Sequence, residues 1–214
     1  MENIDNQHEY WDSVAWDKVF THPINMELFK ANVSIESRIL DYGCGYGRTV
    51  RELSDSDYRN VVGVDSSPLM IERGHSIYPN LNLEVLLDTH LPYDDGSFDA
   101  IILFAVLTCI PTNVGQKDLV KNLSRLLRPG GVIYISDYCL QADERNLQRY
   151  GKFAEEFGIY GVFRLPEGAV VRHHSLAWIK SLLFEFEMID LSRIEVATMN
   201  GNPAEVFQYL GRKE

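Results

Sequence analysis

The chain has 214 residues, with 20 Lys plus Arg against 31 Asp plus Glu and a formal net charge of −11. Its 45% hydrophobic and 24% charged fractions exclude a disordered tail or a coiled coil, and a chain of this length buries roughly 70% of its unfolded surface without a disulfide or metal staple. The acidic balance repels phosphate backbones and no Lys/Arg stripe offsets it, so no nucleic-acid partner is expected.

Residues 1–37 read as an amphipathic helical lid, in which Tyr10, Trp11, Val14, Trp16, Val19 and Phe20 form an aromatic-rich face until His22-Pro23 interrupts it. The opening is acidic and polar, without the apolar core of a signal peptide. The longest apolar run, residues 100–109, is about half of what a membrane span needs. Cys44, Cys109 and Cys139 form no CxxC pair, which points to reduced thiols, a cytoplasmic setting and no metal site.

A first strand, residues 38–42, runs straight into Gly43-Cys44-Gly45-Tyr46-Gly47, and helical sequence resumes at Arg48 and lasts to about Ser54. Residues 60–65 form a second strand ending in Asp65, followed by Ser66-Ser67-Pro68, a helix-start signal. Residues 83–87 make a third strand, ending at Asp88, and residues 98–104 a fourth, preceded by a turn-rich stretch, residues 92–97. A helix over 114–127 leads through Arg128-Pro129-Gly130-Gly131 to a fifth strand, 132–137. Strands alternating with helices imply a parallel sheet with right-handed crossovers, and near-continuous apolar strands imply burial on both faces.

The remainder is less regular. Residues 141–157 read as a charged helix, and the runs 160–165 and 169–174 flank Pro166-Glu167-Gly168 as a hairpin. Residues 175–187 form a helix, and 188–198 with 204–211 a closing antiparallel pair. The expected organisation is one domain over 1–214: the lid 1–37, a cofactor-binding core 38–137, a cap inserted over 138–174, and a closing unit 175–214.

In open α/β sheets the ligand lies beyond the carboxyl ends of the strands. Those ends carry Asp41 with the glycines, Asp65, Asp88 and Phe104. Asp65 suits the hydroxyls of a ribose, and Asp88 with Thr89 an adenine amino edge. A dinucleotide loop carries G-x-G-x-x-G, whereas Gly43, Gly45 and Gly47 give G-x-G-x-G with an acid two residues ahead. That acid would repel a pyrophosphate and attract an ammonium or sulfonium, so the cofactor reads as a nucleoside with a cationic tail.

Residues 39–48, 62–67, 91–99 and 126–131, in that order and spacing, resemble the class I S-adenosylmethionine-dependent methyltransferases of the small-molecule type. The resemblance implies a Rossmann-like α/β fold, a seven-stranded mostly parallel sheet of order 3-2-1-4-5-7-6 with helices on both faces. It also implies S-adenosylmethionine as cofactor and S-adenosylhomocysteine as product. Gly43, Cys44 and Gly45 would then hold the methionine part, with Asp41 near its amino group. Asp65 would bind the ribose, Ser66 would lie along the adenine, Asp88 and Thr89 would meet its edge, and the Phe104 carbonyl would accept from the ammonium. Many relatives carry a His-His pair after the fourth strand where this chain has Thr108-Cys109.

The acceptor is a small molecule on this reading, methylated on oxygen or nitrogen by in-line displacement, for which proximity supplies up to ~7–11 kcal/mol. His174 is the candidate general base, with His173 beside it; the alternative is a pair of structural histidines next to the helix start at Ser175. Tyr10 and Trp11 would close the site from above, and Tyr138 and Tyr160 would line the acceptor pocket. His90 reads as loop surface. A macromolecular acceptor, protein or RNA, and a non-catalytic cofactor-binding module stay open as alternatives, as does the choice between monomer and homodimer.

Overall fold

Side chains on a strand alternate between faces, and the strands of this chain are apolar at both parities. In the computed structural model, which describes residues 4–86 and 91–214, that pattern yields a buried central sheet. Its parallel part comprises β1 (Ile39–Tyr42), β2 (Val61–Asp65), β3 (Leu83–Val85), β4 (Phe98–Phe104) and β5 (Leu127–Tyr138). The antiparallel pair β8 (Phe186–Ala197) and β9 (Pro203–Lys213) completes the order β3-β2-β1-β4-β5-β9-β8. This is the expected order once the small hairpin, β6 (Val162–Arg164) with β7 (Val170–Arg172), is numbered separately.

The two faces have separate cores. On one, Leu40, Ile101, Leu103, Ile133 and Ile135 pack with helices α5 (Asn113–Leu126) and α7 (Leu176–Leu182). On the other, Ile39, Ala100, Ile102, Val132 and Tyr134 pack with Phe29 of α2 (Met26–Asn32) and Leu53 of α3 (Arg48–Asp55). Burying a leucine- or phenylalanine-sized side chain contributes about 1.5–3 kcal/mol, so both cores favour the register strongly.

Helix starts follow local chemistry. Ser67 caps α4 (Pro68–Ile77), Thr112 caps α5, Asp143 caps α6 (Glu144–Phe157) and Ser175 caps α7, each accepting from a backbone N–H in the first turn. Gly158 ends α6 in the left-handed conformation.

Three sequence expectations change. The lid is not one amphipathic helix: it holds α1 (His8–Ser13), with irregular backbone up to α2. Trp16 and Val19, expected on an apolar face, are each 55% exposed. A six-residue helix cannot carry a stripe that long, and the Pro23 ring fixes the backbone before α2. β5 begins at Leu127, because Leu127 pairs with Phe98 ahead of an irregularity before Ala100. The helix expected over 175–187 stops at Leu182, and Phe186 already pairs with Lys213. The expected end of the third strand, with Asp88, Thr89 and His90, lies outside the described residues.

Candidate active site

A cavity of about 610 Å³ opens at the carboxyl ends of β1, β2, β4 and β5, with the N-terminal segment along one side. Gly43, Gly45 and Gly47 all take left-handed φ values, +73°, +56° and +84°. The loop is also clasped from both sides: a Cβ on Gly43 would lie 2.5 Å from the Val106 side chain, and one on Gly45 would run into the Phe20 ring. Only glycine combines this backbone with this proximity.

Asp65 braces the loop. Its carboxylate accepts from the Gly45 N–H at 2.8 Å and from the Ser67 N–H at 2.9 Å, tying the first βα turn to the start of α4. Burial raises its pKa, and those two backbone donors oppose the rise. Asp41, 2% exposed, is different: its Oδ2 has no partner. Burial pushes its pKa up to about 7, which Arg48 resists and Asp65 reinforces.

Among the described residues, four buried side-chain atoms without a partner belong to the wall of this cavity: Thr21 Oγ1, His22 Nε2, Asp41 Oδ2 and Arg48 Nε. Buried polar atoms are nearly always paired, so four together mark a surface built for a polar ligand. An anionic acceptor beside a hydroxyl and a guanidinium N–H matches a zwitterion, an ammonium toward Asp41 and a carboxylate toward Thr21 and Arg48. The donor set fits the amino-acid end of S-adenosylmethionine.

The N-terminal segment is fastened across the opening. Asp12 accepts from Ser67 Oγ (2.5 Å) and Leu69 N (3.2 Å), and Arg73 donates to the carbonyls of Ala15 and Lys18, both at 2.7 Å. Phe20 stacks on Tyr46 at 5.3 Å, and Arg73 lies 4.1 Å from the same ring. At the other end, Asp5 accepts from Thr112 N and Oγ1, while Gln7 bridges Cys109 O and the backbone of Val170 in β7. Opposite, Asp137 accepts from Thr108 N (3.0 Å) and Tyr138 N (2.7 Å), fixing the 3₁₀ turn Leu107–Cys109 against β5. Ala105, with φ +55°, turns the chain off β4 into that segment.

Of the expected cofactor residues, Asp41, Gly43, Cys44, Asp65, Ser66 and Phe104 border the cavity, and Gly45 supports it through Asp65. Asp88 and Thr89 lie outside the described residues. Of the acceptor-side residues, Trp11 and Tyr138 border it, whereas Tyr10, Tyr160, His173 and His174 lie off its wall. Tyr160 is 55% exposed and leans on Tyr150. The His173 Nδ1 meets the Tyr150 hydroxyl at 2.6 Å.

The expectation that His174 is the base does not fit its surroundings. Its Nδ1 is 3.2 Å from the Tyr138 carbonyl and its Nε2 is 2.8 Å from the Gln116 side chain, whose oxygen accepts from Trp178. Burial, with Arg172 nearby, lowers its pKa to about 3. Both ring nitrogens lie against protein atoms and the ring stands off the cavity wall, which does not suit a base. Sequence reading instead missed Thr21, His22 and Arg48, because nothing in the local pattern says that these side chains face a ligand.

The family profile described as a methyltransferase domain matches residues 39–131, the stretch from β1 into β5. Over residues 39–131 the chain matches a methyltransferase domain, and the strand order and glycine loop are those expected of the class I S-adenosylmethionine-dependent type. It is 25% identical over 160 residues to the O-methyltransferase resE of Aspergillus sclerotiorum, covering 70% of this chain and 60% of that protein. It is 25% identical over 200 residues to the ubiquinone biosynthesis O-methyltransferase of Vibrio parahaemolyticus, covering 88% and 78%. A crystal structure of a SAM-dependent methyltransferase from Methanosarcina mazei superposes with a TM-score of 0.79 at 25% identity, covering 87% of this chain and 96% of that one. The match spans about three fifths of the length of resE and of the 27-O-demethylrifamycin SV methyltransferase of Amycolatopsis mediterranei. S-adenosylmethionine is the cofactor that this domain implies. Among the described residues, no helix is long and apolar enough to cross a membrane.

Proposed function

We propose that the chain transfers a methyl group from S-adenosylmethionine to an oxygen or nitrogen of a small metabolite or natural-product intermediate. The observation that carries this reading is the cluster of unpaired polar atoms on Thr21, Asp41 and Arg48, set beside the left-handed glycine loop in one cavity. When bound, the cofactor supplies a methyl carbon already activated by a sulfonium.

Asp41 would hold the ammonium of the cofactor, Thr21 and Arg48 would orient its carboxylate, and Asp65 would take the ribose while keeping its two backbone bonds. The N-terminal segment and the 3₁₀ turn exclude water and bring the acceptor to one side of the methyl group, so most of the rate comes from orientation. The enclosure suits a small acceptor rather than a protein or RNA, and the relatives named as O-methyltransferases favour oxygen.

Calorimetry with S-adenosylmethionine and S-adenosylhomocysteine tests the site. Both ligands are expected to bind, and Asp65→Ala to weaken both. Binding of neither, or an unchanged affinity in Asp65→Ala, overturns the assignment.

A further inference from the structure

The cofactor assignment leaves His22 without a task. Its ring is 3% exposed and borders the cavity. Nδ1 sits 3.2 Å from the Ser136 carbonyl and 3.1 Å from the Ser136 hydroxyl. A carbonyl only accepts, so the tautomer that satisfies it carries the ring proton on Nδ1, and in that tautomer Nε2 presents a lone pair. The ring rests edge-on against Tyr138 at 4.9 Å, and Arg48 donates to the His22 carbonyl, so backbone and ring are both held. Among the described residues Nε2 has no partner, and a buried acceptor in that state costs free energy until a donor arrives.

We propose that His22 Nε2 takes the hydroxyl proton of an aromatic methyl acceptor of the phenol class; this rests on the methyltransferase reading above. The hydroxyl oxygen forms the bond to the methyl carbon, the carbon–sulfur bond breaks with its electron pair going to sulfur, and the proton passes to Nε2. One positive charge disappears at sulfur as one arises on the imidazole, so the net charge of the closed site does not change.

Two features select the phenol class. Tyr138, Phe104, Trp11 and Phe20 give the cavity flat aromatic walls. The ring also holds a proton weakly: burial is the main cause, with Arg48 adding to it, and the pKa falls to about 4. Asp5, Asp41 and Asp65 are the acids on the wall of the same cavity. A phenol, with a pKa of ~10 like tyrosine, lies closer to so weak a base than an alkanol does.

The test is calorimetry on the full chain saturated with S-adenosylhomocysteine, with catechol as probe and cyclohexanol as control. Catechol is expected to bind, and cyclohexanol about tenfold more weakly or not at all. His22→Asn keeps an amide toward Ser136 but removes the Nε2 lone pair. It is expected to weaken catechol about tenfold while S-adenosylhomocysteine affinity stays within about twofold. His22→Gln, whose amide oxygen reaches toward the Nε2 position, is expected to keep catechol binding yet slow catechol-dependent S-adenosylhomocysteine formation by ~10²-fold or more. The proposal is overturned by any of four results: no catechol binding to the loaded wild type, equal binding of cyclohexanol, unchanged catechol affinity in His22→Asn, or full turnover in His22→Gln. Failure of the wild type to bind S-adenosylhomocysteine overturns the cofactor reading and this proposal together.

Discussion

Two histidines stand at the carboxyl end of β5 and look interchangeable by chemistry. His22 and His174 are both buried, both neutral, and both place Nδ1 about 3.2 Å from a β5 carbonyl, Ser136 for the one and Tyr138 for the other. They differ in a single atom. His174 Nε2 faces the Gln116 amide nitrogen, whose two protons are shared with the carbonyls of Leu107 and Ile110, whereas among the described residues His22 Nε2 has no partner on the cavity wall. Residue type, burial and a lowered pKa are the same for both; the second nitrogen alone sets the proposed base apart.

The comparison breaks first at His174. His174→Ala opens a void in a closed network and is expected to cost about 2–4 kcal/mol of stability, read as a fall of the melting temperature of about 5–15 °C. The S-adenosylhomocysteine affinity of the folded protein should stay within about twofold. Intact stability with lost turnover would restore His174 as the base and collapse the distinction.

Asp41→Asn is expected to do the reverse. It removes the anionic partner of the ammonium and should weaken S-adenosylhomocysteine binding about ten- to hundredfold, with no comparable loss of stability, because the variant no longer buries an unpaired charge. Equal affinity in the variant would show that the unpaired Oδ2 serves no ligand.

A pH series sharpens the same point. The free carboxyl titrates at about 7, and only its ionised form attracts an ammonium. Affinity should therefore be full above pH 7 and fall on acidification, by up to about tenfold per pH unit, as a proton competes with the ligand. That acid limb should vanish in Asp41→Asn; its persistence there would assign it to another group.

The smallest effect concerns the fastening of the N-terminal segment. Asp12→Asn weakens the tie to Ser67 and Leu69, and a loss of about 1 kcal/mol should speed S-adenosylhomocysteine release about fivefold in stopped-flow measurements. An unchanged release rate would mean that the ligand leaves without the segment moving.

The amino-acid sequence by itself determined the strands and the glycine loop with Asp41 and Asp65, while the order of the sheet followed from the resemblance to the methyltransferases. The strands and loop depend on neighbours in sequence: a short apolar run, an acid two residues before a glycine, a serine before Pro68. The 98–104 strand was legible to the residue for that reason. The irregular path of residues 14–25 was not, because its stabilising contacts reach Arg73, Tyr46 and Arg48, more than twenty residues away, and helical periodicity records none of them. Only the tertiary structure decided which histidine faces the ligand. Ser136 lies 114 positions from His22 and Gln116 lies 58 from His174, so the pairing that occupies one Nε2 and leaves the other open exists only once β5, α5 and the N-terminal segment have packed together.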